Sequence, residues 1–261
     1  MVENELNFLS KSEQYGVLGN EATKLKIYSD EWLIHGPENL SDYGDGTCIK
    51  STYVPKLQKL LRGWDTFARR HEIVYALFDG SLLAAYRDGN LIPYDSDADV
   101  IISFKDLEKL EKKLGDQRQN LSRKNQNETY FIIQKDWRMP ENDQRRINCN
   151  STQVASIDDS CSFIEPIGRF LSPGILREDD YMAYVDVFGY VRHYDTMYLQ
   201  DEANVQVRVQ DVFPLKKCTF LGVQTWCPRN AQKILELTYD GNLSPLQKCN
   251  QGQWVDLKSN D

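Results

Sequence analysis

Two neighbouring stretches decide the fold, Ile73-Val-Tyr-Ala-Leu-Phe78 running into Asp79-Gly80-Ser81, and Asp97-Ala-Asp-Val-Ile-Ile-Ser103. Each contains a short apolar run with β-branched residues, which is typical of a buried strand. The first run stops at an Asp-Gly turn, after which residues 81–87 are predicted to form a short helix. Phe104–Leu114 then follows the second run as an amphipathic, charged helix. The alternation of strand and helix places Gly80 at a strand-to-helix junction.

Outward from this centre, the apolar periodicity predicts the remaining elements. Upstream, apolar residues at three- and four-residue steps predict a helix over 54–68, with Ser51 or Thr52 as its cap. Downstream, residues 138–180 are predicted to be loop-rich, and the predicted elements are strands at 129–135, 184–190 and 205–209, a hairpin over 215–226 and a helix over 231–239. The expected class is α+β, a mixed sheet flanked by helices. Residues 1–50 are expected to form an irregular arm packed on one domain at 51–261.

Composition and charge limit the partners. The chain has 261 residues, of which 41% are hydrophobic, and a formal net charge of -8. This size and composition are adequate for a packed core. The negative charge argues against nucleic acid, and against membrane contact through anionic lipid. The sequence has no apolar run long enough to span a bilayer, and its first thirty residues lack a signal-peptide pattern.

Cysteines and glycosylation sequons indicate the compartment. The chain has six cysteines, and Asn-x-Ser/Thr sequons at Asn39, Asn120, Asn127, Asn150 and Asn242. Both features are typical of proteins made in the secretory pathway. We therefore expect a domain in the Golgi or ER lumen whose membrane anchor lies outside this sequence, or a cytoplasmic protein if no targeting segment is missing. Cys218–Cys227 and Cys149–Cys161 are candidate disulfides, with free buried thiols as the alternative.

Two aspartates at the start of the second strand predict a cation site. Strand geometry sends the side chains of Asp97 and Asp99 to the same face. Two adjacent carboxylates repel each other, and a hard divalent cation such as Mg²⁺ or Mn²⁺ removes the repulsion through oxygen ligands. The alternative is an acidic strand end that faces water.

A third carboxylate, Asp186, interrupts the apolar strand Tyr184-Val-Asp-Val-Phe188. An unpaired buried carboxylate is costly, so a partner is expected. That partner is either a metal shared with Asp97 and Asp99 or an arginine; an exposed position is the further alternative.

The Gly80-Ser81 junction is a candidate phosphate site. Backbone N–H groups at the start of a helix favour an anion, and glycine allows close approach of the backbone. An ordinary turn is the alternative. The three histidines are dispersed without ligand spacing, which gives little support to a zinc site or a Ser-His-Asp hydrolase.

These motifs together resemble a known family. Residues 78–87, residues 91–100, Asp186-Val-Phe188 and the closing segment 228–246 with Tyr239-Asp-Gly241 are similar to the LicD family. That family includes bacterial phosphocholine transferases, fukutin and fukutin-related protein. The family often has Thr at the position of Ser81, Trp at Tyr94 and an acid at Ser96.

The resemblance implies a nucleotidyltransferase-like fold and a metal-dependent phosphotransferase. Such an enzyme moves a phosphocholine or ribitol phosphate type of group from a CDP-linked donor to a hydroxyl of a glycan or glycoconjugate acceptor, releasing CMP. The residues implied are Asp97, Asp99 and Asp186 for Mg²⁺ or Mn²⁺, Gly80 and Ser81 for a phosphate, Arg87 as a diphosphate clamp and Asp95 as a candidate general base. Arg87 can equally pair with Asp88 or Asp95.

Two other functions fit the same pattern. One is a catalytically inactive relative that binds a glycan or nucleotide as an interaction module. The other is transfer of a whole nucleotidyl group, which releases pyrophosphate instead of CMP.

Overall fold

A computed structural model describes residues 26–36, 42–48, 51–121, 128–172, 183–200 and 205–257. In chain order the helices in these ranges are α1 (Val54–Arg70), α2 (Asp79–Arg87), α3 (Phe104–Leu114), α4 (Arg118–Leu121), α5 (Val209–Val212) and α6 (Ala231–Thr238), with a 3-10 turn at Glu141–Asp143. The strands there are β1 (Tyr28–Trp32), β2 (Tyr75–Leu77), β3 (Ala98–Ser103), β4 (Tyr130–Ile133), β5 (Arg146–Ile147), β6 (Gln153–Val154), β7 (Gly168–Leu171), β8 (Val185–His193), β9 (Thr196–Leu199), β10 (Gln206–Arg208), β11 (Leu215–Phe220), β12 (Val223–Cys227), β13 (Gln247–Asn250) and β14 (Gln253–Asp256). The predicted α+β class is confirmed.

A mixed sheet forms the centre of the molecule. Within the described residues it has seven strands, ordered β10-β9-β8-β3-β2, with β7 paired to β8 and β4 paired to β7. The pairing of β3 with β8 is parallel, whereas β2 with β3 and β7 with β8 are antiparallel. Strands β2 and β3 and the first part of β8 are buried, which is why they read as apolar runs in the sequence.

Helix α1 covers one region of this sheet with its apolar face. Leu57, Leu60, Leu61, Trp64 and Ala68 are buried at helical spacing. The Trp64 ring contacts the rings of Tyr75, Phe131 and Phe170, which lie on β2, β4 and β7. The predicted cap is wrong: the helix begins at Val54 after Tyr53, without a side-chain cap, and Ser51 accepts a hydrogen bond from the Tyr53 N–H instead.

A second, three-stranded sheet is built on the predicted hairpin. Strands β11 and β12 pair antiparallel around Leu221-Gly222, both with positive φ, and β1 adds to β11 in parallel. Positive φ at both central residues gives the turn that matches strand twist, and glycine tolerates it without steric cost. Strand β1 lies in the segment predicted as an irregular arm. Its burial pattern is almost uniformly exposed, so no alternating signal marks it.

All six cysteines lie in the described ranges and are paired as Cys48–Cys249, Cys149–Cys161 and Cys218–Cys227. The two disulfides considered from the sequence are therefore present, and the free-thiol alternative is wrong. No helix in the described segments is long and apolar enough to cross a bilayer. The sequons at Asn39 and Asn127 lie outside the described residues.

Candidate active site

The candidate site is a row of charged side chains across three adjacent strands. Asp99 on β3 is the register partner of Asp186 on β8, and Asp186 is in turn the register partner of Arg169 on β7. Register partners on neighbouring strands project to the same face of a sheet. The strand pairing therefore brings the second and third predicted carboxylates together on one side.

Asp97 completes an oxygen-lined cluster with them. One carboxylate oxygen from each of Asp97, Asp99 and Asp186 lies within 4.8 Å of the other two. Asp99 and Asp186 are buried, whereas Asp97 is half-buried. This set of hard oxygen donors fits Mg²⁺ or Mn²⁺, and its lack of nitrogen or sulfur ligands does not fit a structural zinc site.

The pKa values of the three aspartates indicate that the ionised cluster is unfavourable without a nearby positive charge. Burial, together with the charges of Asp186 and Asp95, raises the pKa of Asp97 well above its ordinary value. Burial and the charges of Asp97 and Asp79 do the same to the pKa of Asp99. Burial raises the pKa of Asp186 to about 6, although Arg169 opposes the shift. Since the carboxylates resist ionising together, a bound cation would stabilise the ionised cluster.

Helix α2 starts beside this cluster, and Ser81 ties the two together. The Ser81 N–H donates to Asp99 Oδ2 at 3.1 Å, and the Asp99 N–H donates to Ser81 Oγ at 2.7 Å. Ser81 is fully buried. These two hydrogen bonds show that Ser81 positions Asp99, and its predicted contact with a phosphate stays a prediction.

Gly80 leaves room for two carboxylates. A Cβ at this position would lie 3.3 Å from Asp95 Oδ2 and 3.3 Å from Asp99 Oδ2. Such a contact is tighter than ordinary packing, so a side chain here would push on both acids. Glycine therefore favours the close approach of α2 to the cluster, and its predicted contact with a phosphate stays a prediction.

Two more aspartates border the cluster. Asp95 shares a hydrogen bond with Asp97, and burial raises the pKa of Asp95 above its ordinary value. Asp79, the first residue of α2, has φ 39° and accepts a hydrogen bond from Tyr239 Oη. A non-glycine residue at positive φ is strained, and such strain concentrates at functional sites. Neither Asp79 nor the Tyr239 hydroxyl was predicted from the sequence as a site group.

Arg87 makes its hydrogen bonds to groups outside the carboxylate cluster. Its guanidinium donates to both oxygens of Asp88, to the Leu243 carbonyl at 2.8 Å and to Tyr43 Oη. The side chain has 0% exposure, compared with 8% for that of Asp88. The alternative predicted for Arg87, a pair with Asp88, is therefore present and buried, and its role as a diphosphate clamp stays a prediction. Arg87 joins the end of α2 to two distant segments of the chain.

The cation at the cluster is Arg169, which the sequence analysis missed. Its Nε donates to Asp186 Oδ1 at 2.7 Å, and its Nη2 lies 3.4 Å from Asp186 Oδ2. The arginine alternative for Asp186 is therefore present, and its convergence with Asp97 and Asp99 is compatible with a shared metal, which stays a prediction. An arginine inside the apolar run Ile167-Gly-Arg-Phe-Leu171 was the available signal, since a buried guanidinium needs an acidic partner.

Comparison with known families agrees with the predicted resemblance. Residues 72–163 match the family described as LicD/FKTN/FKRP, nucleotidyltransferase domain. This match supports the LicD family. No curated protein matches the chain. LicD-family members are generally transferases, so the match indicates phosphotransferase-type glycan modification at the level of the family.

The LicD match contains part of the site. Gly80, Ser81, Asp95, Asp97 and Asp99 lie inside the matched segment. Asp186, Arg169 and Tyr239 lie beyond it, and the fold brings them to the LicD-matched residues through strand pairing and helix α6.

Proposed function

We propose that the chain is a metal-dependent phosphotransferase that moves a phospho-alcohol group of the phosphocholine or ribitol phosphate type from a CDP-linked donor to a glycan hydroxyl. CMP is the second product. The observation that carries the proposal is the convergence of Asp97, Asp99 and Asp186 within 4.8 Å, beside the start of α2 and inside a LicD-type sequence context. Phosphoryl transfer needs charge neutralisation and alignment more than covalent help from the protein, and this site is built for both.

The reaction balances as a single displacement. The acceptor oxygen forms a bond to the phosphorus that carries the alcohol, and the bond from that phosphorus to the CMP oxygen breaks. CMP leaves with the electron pair, and the proton of the acceptor hydroxyl passes to a base. A divalent cation held by Asp97, Asp99 and Asp186 would neutralise charge on the donor phosphates.

The chain's own residues have distinct tasks in this proposal. Ser81 holds Asp99 in place through its two reciprocal hydrogen bonds. Asp95 is the candidate base, because burial raises its pKa towards the range in which a carboxylate takes up a proton. Tyr239 fixes Asp79 at the border of the cluster.

The direct test is release of CMP. The purified protein is incubated with CDP-choline or CDP-ribitol, Mn²⁺ and a panel of sugar acceptors, and CMP is followed with and without EDTA. We expect Asp97→Asn and Asp99→Asn to reduce turnover by more than about 100-fold, because each removes a proposed metal ligand. Undiminished turnover in these variants rejects the proposal. In a parallel incubation with CTP in place of the CDP-linked donor, release of pyrophosphate indicates nucleotidyl transfer instead.

A control variant separates loss of the site from loss of a carboxylate elsewhere. Asp136 is 7% exposed and accepts from Arg145, whose side chain is 52% exposed, at 2.7 Å, outside the carboxylate cluster. Asp136→Asn makes the same chemical change at a position of low exposure and is expected to retain turnover in proportion to its folded fraction.

The second candidate function is a catalytically inactive module that binds a glycan or nucleotide. The observation that favours it is the ion pair between Arg169 and Asp186, which already places a positive charge at the cluster. Binding of CDP by wild-type protein, with no metal-dependent release of CMP from any donor, would support this candidate.

We also propose that the domain functions in the lumen of the Golgi or ER. Three disulfides support this, since oxidising compartments favour them. Asn150 is exposed at a turn next to Cys149, whereas the Asn242 side chain accepts from the Ser244 N–H. Protein made through a secretory pathway should therefore carry an N-glycan at Asn150, detected as a mass shift that PNGase F removes and Asn150→Gln abolishes. Absence of glycan at this exposed site would count against lumenal synthesis.

A further inference from the structure

Arg169 is built into the site more firmly than a chance ion pair would be. Besides its two contacts with Asp186, its Nη1 donates to the Ser160 carbonyl at 3.3 Å. The centre of the guanidinium lies 3.9 Å from the Tyr184 ring centroid and 4.8 Å from that of Phe163. Arginine stacks on aromatic rings while its N–H groups bind in the plane of the fork, so these contacts fix the orientation of the group.

Two of the three supports of Arg169 beyond Asp186 come from the disulfide loop, which we define as residues 146–163 and which the Cys149–Cys161 bond crosslinks. Ser160 and Phe163 belong to this loop. Asp159 links its two ends, because its carboxylate accepts from the Cys149 N–H at 2.8 Å and the Cys161 N–H at 2.9 Å. The loop is therefore a rigid support placed against the guanidinium.

Charge explains why an arginine is useful at this position. Asp97, Asp99 and Asp186 with one divalent cation leave a net negative charge, and a donor diphosphate is itself an anion. The guanidinium cancels that excess where Asp186 meets the cluster. Its side chain keeps 12% exposure, compared with 0% for Arg87. Arginine also matches the geometry of phosphate oxygens through a fork of N–H donors.

We propose that Arg169 binds the diphosphate of the nucleotide donor, and that its pair with Asp186 keeps the guanidinium aligned before the donor arrives. This inference rests on the proposed function and assigns its anion-binding residue to β7, outside the LicD-matched segment. A divalent cation bound by Asp186 would share the charge of this carboxylate and weaken its pair with Arg169, which would leave N–H groups of Arg169 available to phosphate oxygens.

The test measures two affinities with opposite expected changes. Binding of Mn²⁺ alone, and of CDP in the presence of Mn²⁺, is measured by calorimetry for wild type, Arg169→Met and Arg169→Lys. Arg169→Met should bind Mn²⁺ at least as tightly as wild type, because a positive charge has left the cation site. It should bind CDP about tenfold more weakly or worse, since charged hydrogen bonds to phosphate are lost.

Arg169→Lys keeps the charge and is the variant more certain to fold. It should leave Mn²⁺ affinity near the wild-type value and give intermediate CDP affinity, because lysine lacks the fork. Arg145→Met is the control. Arg145 binds Asp136 through two contacts of 2.7 Å and is 52% exposed, compared with 12% for Arg169. Its removal breaks an arginine–aspartate pair outside the cluster and should change neither affinity.

The outcomes separate this inference from the function on which it rests. Wild-type CDP affinity in both Arg169 variants overturns the inference, while loss of Mn²⁺ binding in Asp97→Asn still supports the site. A parallel fall of Mn²⁺ and CDP affinity in Arg169→Lys reduces Arg169 to a structural role and also overturns the inference. A wild-type protein that binds neither Mn²⁺ nor CDP contradicts the proposed function, and the role of Arg169 falls with it.

Discussion

The hydrogen bonds between Ser81 and Asp99 show how one residue fixes the position of a carboxylate in the site. The two residues exchange hydrogen bonds of 3.1 Å and 2.7 Å, so the first turn of α2 holds a carboxylate of the chain itself. The start of a helix favours any anion, and here an internal aspartate takes that position. The carboxylate is thereby fixed before a cation binds, and its desolvation is partly compensated.

Arg87 leads to a stability prediction at the same scale. Arg87→Met leaves Asp88 without its main partner in a buried position, and breaking such a pair costs about 3–5 kcal/mol. We expect a large fall in the free energy of unfolding, measured by urea denaturation, with CDP affinity per folded molecule unchanged. Arg69→Met is the control, because the Arg69 side chain is 72% exposed and its pair with Asp65 should contribute less than about 1 kcal/mol. Weaker CDP binding by folded Arg87→Met would support the clamp predicted from the sequence.

Helix α2 is the element that links the site to the rest of the chain. It begins at Asp79 with φ 39° beside the cluster and ends at Arg87, which reaches Tyr43 and the Leu243 carbonyl. Six residues along a helix correspond to a rotation of about 240°. Arg87 therefore projects well away from the direction of Ser81, and its guanidinium pairs with Asp88.

The disulfide loop gives a prediction about an element. Cys149 and Cys161 are 12 residues apart, and replacing both by serine should cost about 3 kcal/mol through loop entropy. It should also weaken CDP binding several-fold, because Ser160 and Phe163 then lose their fixed position against Arg169.

The other short disulfide is the control for that experiment. Cys218 and Cys227 are 9 residues apart and lie on the β11–β12 hairpin, so their double serine variant should lose similar stability and keep its CDP affinity. Equal CDP affinity in the two double variants at matched folded fraction would contradict the supporting role of the disulfide loop.

The elements that the sequence predicted best are those whose burial leaves a local pattern. Strands β2, β3 and β8 read as apolar runs, and the alternation of Asp97 with Asp99 indicated their shared face. Strand β7 has four residues, and the register of its pairing with β8 leaves no mark in the sequence of either strand. The contact between Arg169 and Asp186 therefore depends on tertiary structure and cannot be predicted from the periodicity of the sequence. Strand β1 escaped prediction because it is mostly exposed.

Across the whole molecule, negative charge is in excess, and part of it is concentrated at the candidate site. The chain carries a formal net charge of -8, and Asp79, Asp95, Asp97, Asp99 and Asp186 gather in one region, with Arg169 as the cation that contacts Asp186. Like charges in a desolvated cluster oppose folding, so the cluster lowers the free energy of unfolding of the metal-free protein at neutral pH. A bound cation and a folded chain are thermodynamically linked.

That linkage gives a pH-dependent prediction with a definite sign. Burial raises the pKa of Asp186 to about 6 in the folded protein, above about 3.9 for an unfolded aspartate. Because the folded-state pKa is raised, protonation of Asp186 contributes its full stabilisation below about pH 4, and this stabilisation is lost as pH rises through about 6. Protons and cations compete for the same oxygens, so Mn²⁺ should raise the melting temperature more at pH 7.5 than at pH 5. Asp97→Asn should lose most of this shift and Asp136→Asn should keep it, whereas an equal shift at both pH values would mean that Mn²⁺ binds away from the titrating carboxylates.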